Sequence, residues 1–354
     1  MTTPLTEQLQ RAVLGLDFAA TADFLQAGQP LVLMPSIDLA VVAFAPGSHP
    51  RWGNVLFSRE YPQGVVADIG SDAGAPKNIR FDADLQDATR KSIAWLPGSN
   101  WQKLPWRPLH GSGAHRFVAP YPASLLKLMV AVGVALAVDE GLCTWPDALT
   151  PMITVSDNDA TDTCVALLHR VGWLPRRLNE RFASLGLHTL QLNNTTAAGG
   201  WRNGDGAGVG QIHMTAWDTV RLLWLLDADA PPPPWRPAGA LPLLQPASRD
   251  RLRAALAAQT LDEILSSGAL RGVPGWVQGL PDAPAFAHKT GTTENYGSDA
   301  GIVKTPQAHY IVAMLSSLGS RYAPHERCAT TWRLPGLGAV VHHIASTDPA
   351  APAC

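Results

Sequence analysis

Apolar residues fall toward one helical face over residues 5–27, at Leu9, Val13, Leu16 and Phe24, and this spacing predicts an amphipathic helix. Leu31–Phe44, rich in Val, Leu and Ala, predicts one or two strands, with Val55–Ser58 as a partner. From Arg59 to Gly113 the periodicity breaks down into runs such as SDAGAPKN and LPGSNWQKLPW, so this stretch reads as a long insertion with limited regular structure. Ser124–Glu140 is apolar almost all round, the pattern of a helix buried on every side, and Gly141 supplies a stop. Asp157–His169 opens with an acidic first turn suited to a helix N-terminus, and Thr215–Leu226 is a further helix, ended by APPPPWRPAG. Beyond Ser248–Leu265 short strand patterns return at Ala285–Lys289, Ala300–Lys304 and Tyr310–Leu315. A final helix is predicted over Glu326–Ile344, bent at Pro335-Gly336.

The order is helix, strands, a helical middle, strands, helix. Its economical solution is an α+β fold in which both chain ends build one sheet and a helical part is inserted between them. The predicted divisions are 1–58 (first helix and strands), 59–118 (insertion), 119–265 (helical part), 266–345 (remaining strands and last helix) and 346–354 (tail). Composition narrows the function classes. Of the 354 residues, 46% are hydrophobic and 16% charged, which excludes global disorder. The 27 basic and 29 acidic residues nearly cancel, leaving no overall field to draw nucleic acid or an anionic membrane. The four cysteines, Cys143, Cys164, Cys328 and Cys354, are scattered and read as reduced thiols; neither they nor His325-Glu326 and His342-His343 have metal-ligand spacing. No metal or cofactor is expected. The N-terminus lacks a basic and apolar leader pattern, and the apolar stretch Leu125–Val138 is interrupted by Lys127 and too short to span a bilayer, so the expectation is a cytoplasmic protein.

Only six lysines occur, at Lys77, Lys91, Lys103, Lys127, Lys289 and Lys304, and two of them lie in short motifs. Ser124-Leu125-Leu126-Lys127 gives S-x-x-K at the start of the buried helix, Ser156-Asp157-Asn158 gives S-D-N before the next helix, and Lys289-Thr290-Gly291 gives K-T-G at a strand end. Residues three apart on a helix share a face, so Lys127 can reach the Ser124 hydroxyl. An alcohol needs a base to become a nucleophile at neutral pH. A lysine buried in an apolar helix near a second cation, Lys289, has its charged form disfavoured and can be that base. Ser156 can then relay a proton to a leaving nitrogen, and Asn158 can hold a substrate amide. Singly, each motif also has a structural reading: Ser124 as a helix cap, Ser156 and Asp157 as caps of the next helix, Lys289 as a solvated charge, and Thr215 with Asp218 as a helix start.

The three motifs in this order, with YPASLLKL, ITVSDNDATD, HMTAWD and HKTGTT around them, resemble the penicillin-recognising serine enzymes, and among them the class A β-lactamases and their relatives. The resemblance covers about residues 120–318. It implies an antiparallel sheet flanked by the terminal helices with an inserted all-helical subdomain. It also implies catalysis by Ser124, Lys127 and Ser156, and substrate binding by Asn158, Lys289, Thr290, Gly291 and Thr292. The backbone N–H groups of Ser124 and Thr292 would form an oxyanion hole, and Lys289 with the Thr290 and Thr292 hydroxyls would bind a substrate carboxylate. Class A β-lactamases carry a deacylating glutamate between S-D-N and K-T-G; here none occurs between Glu180 and Glu263, and the segment LNNTTAAGGWRNGDGAGVGQIH offers Asp205 as a surrogate. The expected activity is a serine acyl-enzyme hydrolase cleaving an amide C–N bond in a small molecule, such as a β-lactam. The alternatives are a D-amino-acid peptidase, a biosynthetic amidase or transacylase, and a penicillin-binding sensor without turnover. The Trp-rich segment 95–106 is expected to replace one wall of the cleft.

Overall fold

In the computed structural model, which describes residues 4–85, 100–201, 212–266, 279–281, 285–322 and 333–347, the apolar run Ile37–Phe44 forms a strand, β1, buried along nearly its whole length. It is central because both faces are covered. Pairing extends from it through β2 (Arg51–Phe57) to the short β3 (Val65–Val66) on one side. On the other side lie, in spatial order, β9 (His309–Ser316), β8 (Gly297–Lys304) and β7 (Phe286–Thr292), every neighbour antiparallel. The N-terminal and C-terminal strands therefore meet at β1–β9, with Ile37 opposite Ser316 and His309 opposite Phe44. The strand that carries K-T-G is the sheet's edge.

Alternation along the strands splits the core in two. Leu39, Val41, Val312, Met314 and Phe286 face the terminal helices α1 (Leu5–Leu14) and α8 (Arg333–Ser346), which contribute Leu9, Val13, Leu337 and Val341. Ala40, Val42, Ala300, Ile302, Ile311 and Ala313 face the helical part. There α2 (Lys127–Asp139) is buried from Lys127 to Ala137, surrounded by α3 (Leu149–Thr154), α4 (Asn158–Arg170), α5 (Arg176–Ser184), α6 (Ala216–Leu226) and α7 (Pro246–Ala257). Asp38, fully buried in β1, ties the two parts together. It accepts hydrogen bonds from the Ala216 N–H at the start of α6 (2.8 Å) and from Asn54 (2.7 Å), and burial raises its carboxyl to about 6.

Three expectations change. The first helix ends at Leu14, not near residue 27, because Gly15 follows and Asp17 turns left-handed (φ +45°); Phe24, expected on its apolar face, is 52% exposed in a short 3-10 turn. The stretch 59–113 is more regular than its composition suggested. Besides β3 it holds β4 (Ile79–Ala83) and β5 (Arg107–Gly111), which with β6 (His115–Ala119) make a three-stranded sheet, β4 antiparallel to β5 and parallel to β6. Ile79, Phe81 and Phe117 pack this sheet onto Leu56 of β2. In α8, Pro335 falls in the first turn of the described helix, a position proline tolerates; residues 323–332 lie outside the described residues. Thr215 and Asp218 are structural, as their helix-start reading expects: Thr215 caps α6, and Asp218 binds Thr189 and Arg221. Among the described residues no helix is long and apolar enough to cross a membrane.

Candidate active site

Strand β6 delivers the chain into the turn that carries Ser124. Ala123–Leu126 winds as a 3-10 turn, and the Lys127 N–H bonds the Ser124 carbonyl before α2 continues. In 3-10 geometry residues three apart eclipse, so Ser124 and Lys127 share one face at the helix entrance. Ala123 sits at φ +52°, a conformation costly for a residue with a Cβ, and Ser156 of S-D-N does so at φ +56°. Two of the described chain's few left-handed non-glycine residues therefore flank this site.

Lys127 has no exposed surface. Its ammonium donates to the Ser156 hydroxyl (2.9 Å), the Asn158 amide oxygen (2.8 Å) and the Ser156 carbonyl, and the Trp201 ring lies 5.6 Å away. Capping of α4 falls to Asp157, whose carboxylate accepts the Ala160 N–H at 2.7 Å. That division explains the order of S-D-N. The middle residue holds the helix, and the outer two turn their polar atoms to the lysine.

The sheet supplies the opposite wall. Gly291 passes so close to the Ser124 turn that a Cβ on it would lie 2.4 Å from the Pro122 carbonyl and 2.5 Å from the Leu125 nitrogen. Ser298, on the neighbouring strand β8, donates to Pro122 O (2.6 Å) and Gly291 O (3.3 Å), fastening turn to strand. Glycine in K-T-G is thus a requirement of close approach. Lys289 is fully buried, its ammonium donating to the Thr290 carbonyl (2.8 Å); burial, and then the charge of Lys127, pull it down to about 7. The two motif lysines are close enough to repel. Thr290 is buried; Thr292 is half-buried, its hydroxyl 3.4 Å from the Glu263 carboxylate.

The structure therefore brings S-x-x-K, S-D-N and K-T-G into one cleft. Asp205 and residues 95–99 of segment 95–106 lie outside the described residues. Sequence reasoning missed four contributors: Trp201, Glu263, Ser298, and the Tyr296 side chain. Tyr296 packs edge-on against Tyr121, before the Ser124 turn, and its hydroxyl donates to Asp84 at the end of β4. Trp201 left one signal, a lone indole in a glycine-rich polar run.

Among solved structures the chain is similar to a class A β-lactamase from Bacteroides cellulosilyticus, with 16% identity, TM-score 0.54, and coverage of 98% of this chain and 100% of that one. A β-lactamase from Sphaerobacter thermophilus matches with 14% identity and TM-score 0.50, covering 96% of this chain and 95% of its own. At these identities the likeness speaks for the fold. No curated protein matches the chain significantly in sequence. The family described as the β-lactamase enzyme family matches residues 140–331, a span that contains S-D-N and K-T-G and follows S-x-x-K, and with more than half its length matched the chain belongs to that family of serine hydrolases acting on C–N bonds.

Proposed function

We propose that the protein works through an acyl-enzyme on Ser124, cleaving an amide C–N bond of a small molecule. The observation that carries this reading is the Lys127 ammonium, eclipsed with Ser124 and hydrogen-bonded to the Ser156 hydroxyl at 2.9 Å. A continuous proton route follows from it. In one concerted transfer the Lys127 ammonium gives a proton to Ser156 Oγ, Ser156 gives its own to the departing nitrogen as the C–N bond breaks, and the lysine nitrogen so freed takes the Ser124 proton as Ser124 Oγ bonds to the carbonyl carbon. The lysine ends with the charge it began with. The N–H groups of Ser124 and Thr292 are suited to the oxyanion, and Asn158 to a substrate amide. Water, or another nucleophile, then takes the acyl group and returns a proton to Ser124.

Incubation with a fluorescent penicillin followed by intact-mass measurement tests this. A single adduct is expected on the wild type and none on Ser124→Ala; an undiminished adduct on the variant would overturn the assignment. A second reading, in which the acyl group goes mainly to an acceptor other than water, as in a peptidase-related amidase or transacylase, draws on Trp201. Between α5 and α6 the described chain presents to Lys127 an indole, where class A enzymes use an acid to activate water. Rapid nitrocefin turnover supports hydrolysis; a persistent adduct discharged by added amines supports transfer.

A further inference from the structure

We infer that the cavity of about 500 Å³ at the active-site end of the main sheet, behind the turn that joins β7 to β8, is a second small-molecule site, built for an uncharged and largely apolar ligand. Binding there is independent of the acyl-enzyme reading.

The segment between α1 and β1 makes the cavity. Ala22–Asp23 and Gln29–Pro30 pair as a short antiparallel ribbon, and the chain then runs through Leu31, Val32, Leu33 and Met34 toward β1. Two backbone bonds pin this run, from the Leu31 N–H to the Thr21 carbonyl (3.0 Å) and from the Val32 N–H to the Ala19 carbonyl (2.9 Å). So held, Val32 takes φ +65°, a conformation in which a β-branched residue is a true outlier. Its side chain gains no packing in return, for it is 74% exposed and Leu33 beside it 52%. Both line the cavity, together with the buried Met34 and Tyr322. Strain that holds apolar groups out in water marks a functional position, and a cavity of this volume is of the size that takes a small molecule.

Charge decides which kind of molecule. Arg321 in the wall donates to the Asp23 carboxylate and to Asn295, both at 3.0 Å, and Arg59 has Asp84 within electrostatic reach. Each guanidinium of the wall therefore has its carboxylate already. The other polar groups there are neutral. Gln26 and Gln29 are exposed, and burial pushes the Tyr322 hydroxyl up to about 12, so that it keeps its proton. An ion entering the cavity would have to break one of these pairs or lose its water without a countercharge, whereas an apolar body bearing a neutral amide or hydroxyl loses little.

The cavity is walled off from the cleft. Thr292, Gly297 and Ser316 are register partners on β7, β8 and β9, so two strand spacings, about 10 Å, separate the end of the K-T-G strand from the strand that Ser317 continues into the cavity wall. The backbone between is closed. The Ser320 N–H donates to the Thr293 carbonyl (2.9 Å) and the Arg321 N–H to the Glu294 carbonyl (3.2 Å), and a Cβ on Gly319 would lie 2.2 Å from the Thr293 carbonyl oxygen. A ligand here is a second molecule, not the far end of one held at Ser124.

Two fluorescent probes that share one frame test the inference by titration of the full chain: N-phenyl-1-naphthylamine, which is uncharged, and 8-anilinonaphthalene-1-sulfonate, its anionic counterpart. The neutral probe is expected to saturate a single site and to bind about tenfold more tightly than the sulfonate. Val32→Gly, which relieves the strain, should raise the melting temperature and yet weaken the neutral probe about fivefold. Leu33→Asp, at an equally exposed position, should weaken it about tenfold. Ser124→Leu, which crowds the cleft, should leave its Kd within about twofold, as expected of separate sites. Thermal melts establish that each variant is folded. No saturable binding, tighter binding of the sulfonate, or a Kd unmoved by both Val32→Gly and Leu33→Asp overturns the inference. A loss in Ser124→Leu as large as that in Leu33→Asp puts the probe in the cleft and overturns it as well. None of these readouts requires acylation, so a failure of the acyl-enzyme reading leaves them unchanged.

Discussion

The helical wall and the sheet wall of the cleft each bury one lysine completely, Lys127 at the head of α2 and Lys289 midway along β7, and the two are treated in opposite ways. Lys127 meets three oxygen acceptors and an indole face. Lys289 donates to one carbonyl and faces the charge of Lys127, which with burial pulls it to about 7. Burial alone therefore does not decide what a lysine does; the acceptors supplied to its charged form do. An ammonium with a full set of acceptors can hand protons between two hydroxyls without being expelled from its place. One with a single acceptor carries a charge only half present at neutral pH, and serves better to tune the site than to relay protons.

The sharpest way to break this comparison is to remove each lysine in turn. Lys127→Met should slow acylation of Ser124 by about 10³–10⁴-fold, the contribution of a positioned acid–base group, whereas Lys289→Met should cost no more than about 10²-fold. Stopped-flow acylation with a chromogenic β-lactam measures both, and an inverted order would show that the proton route runs through the sheet wall. Next in size is the seam between the walls. Gly291→Ala places a Cβ 2.4 Å from Pro122 O and 2.5 Å from Leu125 N, both backbone atoms that cannot swing aside. The Ser124 turn must shift, and a displacement of this order costs about 10²-fold in rate. An acylation rate within threefold of wild type would mean that the seam yields without moving the nucleophile.

Much of this site is legible in the sequence because its chemistry is local: S-x-x-K is one turn, S-D-N one helix cap, and K-T-G one stretch of strand, although β7 runs on to Thr292, past the strand end expected at Lys289. The two-ended sheet is legible for a similar reason, since apolar strands at both chain ends have only each other to pair with. What is not legible is set by distant packing. Glu263 lies in an irregular segment whose direction is fixed by Asp299 across the sheet, and no periodicity reports that. The small sheet was hidden because β5, RPLHG, contains a proline and a glycine, and β4 is too short for its alternation of Ile79 and Phe81 to stand out. The end of α1 was missed because a left-handed Asp17 leaves the apolar spacing intact while redirecting the chain.

A third test uses stability in place of rate. Because Lys289 is pulled from 10.5 to about 7 in the folded protein, the unfolded chain holds more protons between those pH values, and stability must rise with pH there. From pH 7 to 9 this amounts to about 2 kcal/mol, measured by urea unfolding, and the rise should be missing in Lys289→Met. Asp38 gives the opposite slope in a separate window. Its folded value of about 6 lies above the ordinary 3.8, so its contribution is present at acid pH and is lost as pH rises through about 6. Asp38→Asn should remove that fall and leave the alkaline rise intact.

The smallest effect expected is also the one that isolates how the helical wall holds its lysine. Trp201, itself buried, presents its ring to Lys127 at 5.6 Å, within the range where an aromatic face stabilises a cation. Such a contact is worth about 1 kcal/mol, so replacing the ring by an aliphatic side chain should slow acylation about fivefold. Trp201→Leu keeps an apolar group against the core but removes the π face, while Trp201→Phe keeps both. If the indole acts on the cation, Phe restores most of the rate that Leu loses. If it acts only by filling space, the two variants fall together in rate and melting temperature, and the hold on Lys127 would then rest on Ser156 and Asn158 without the ring.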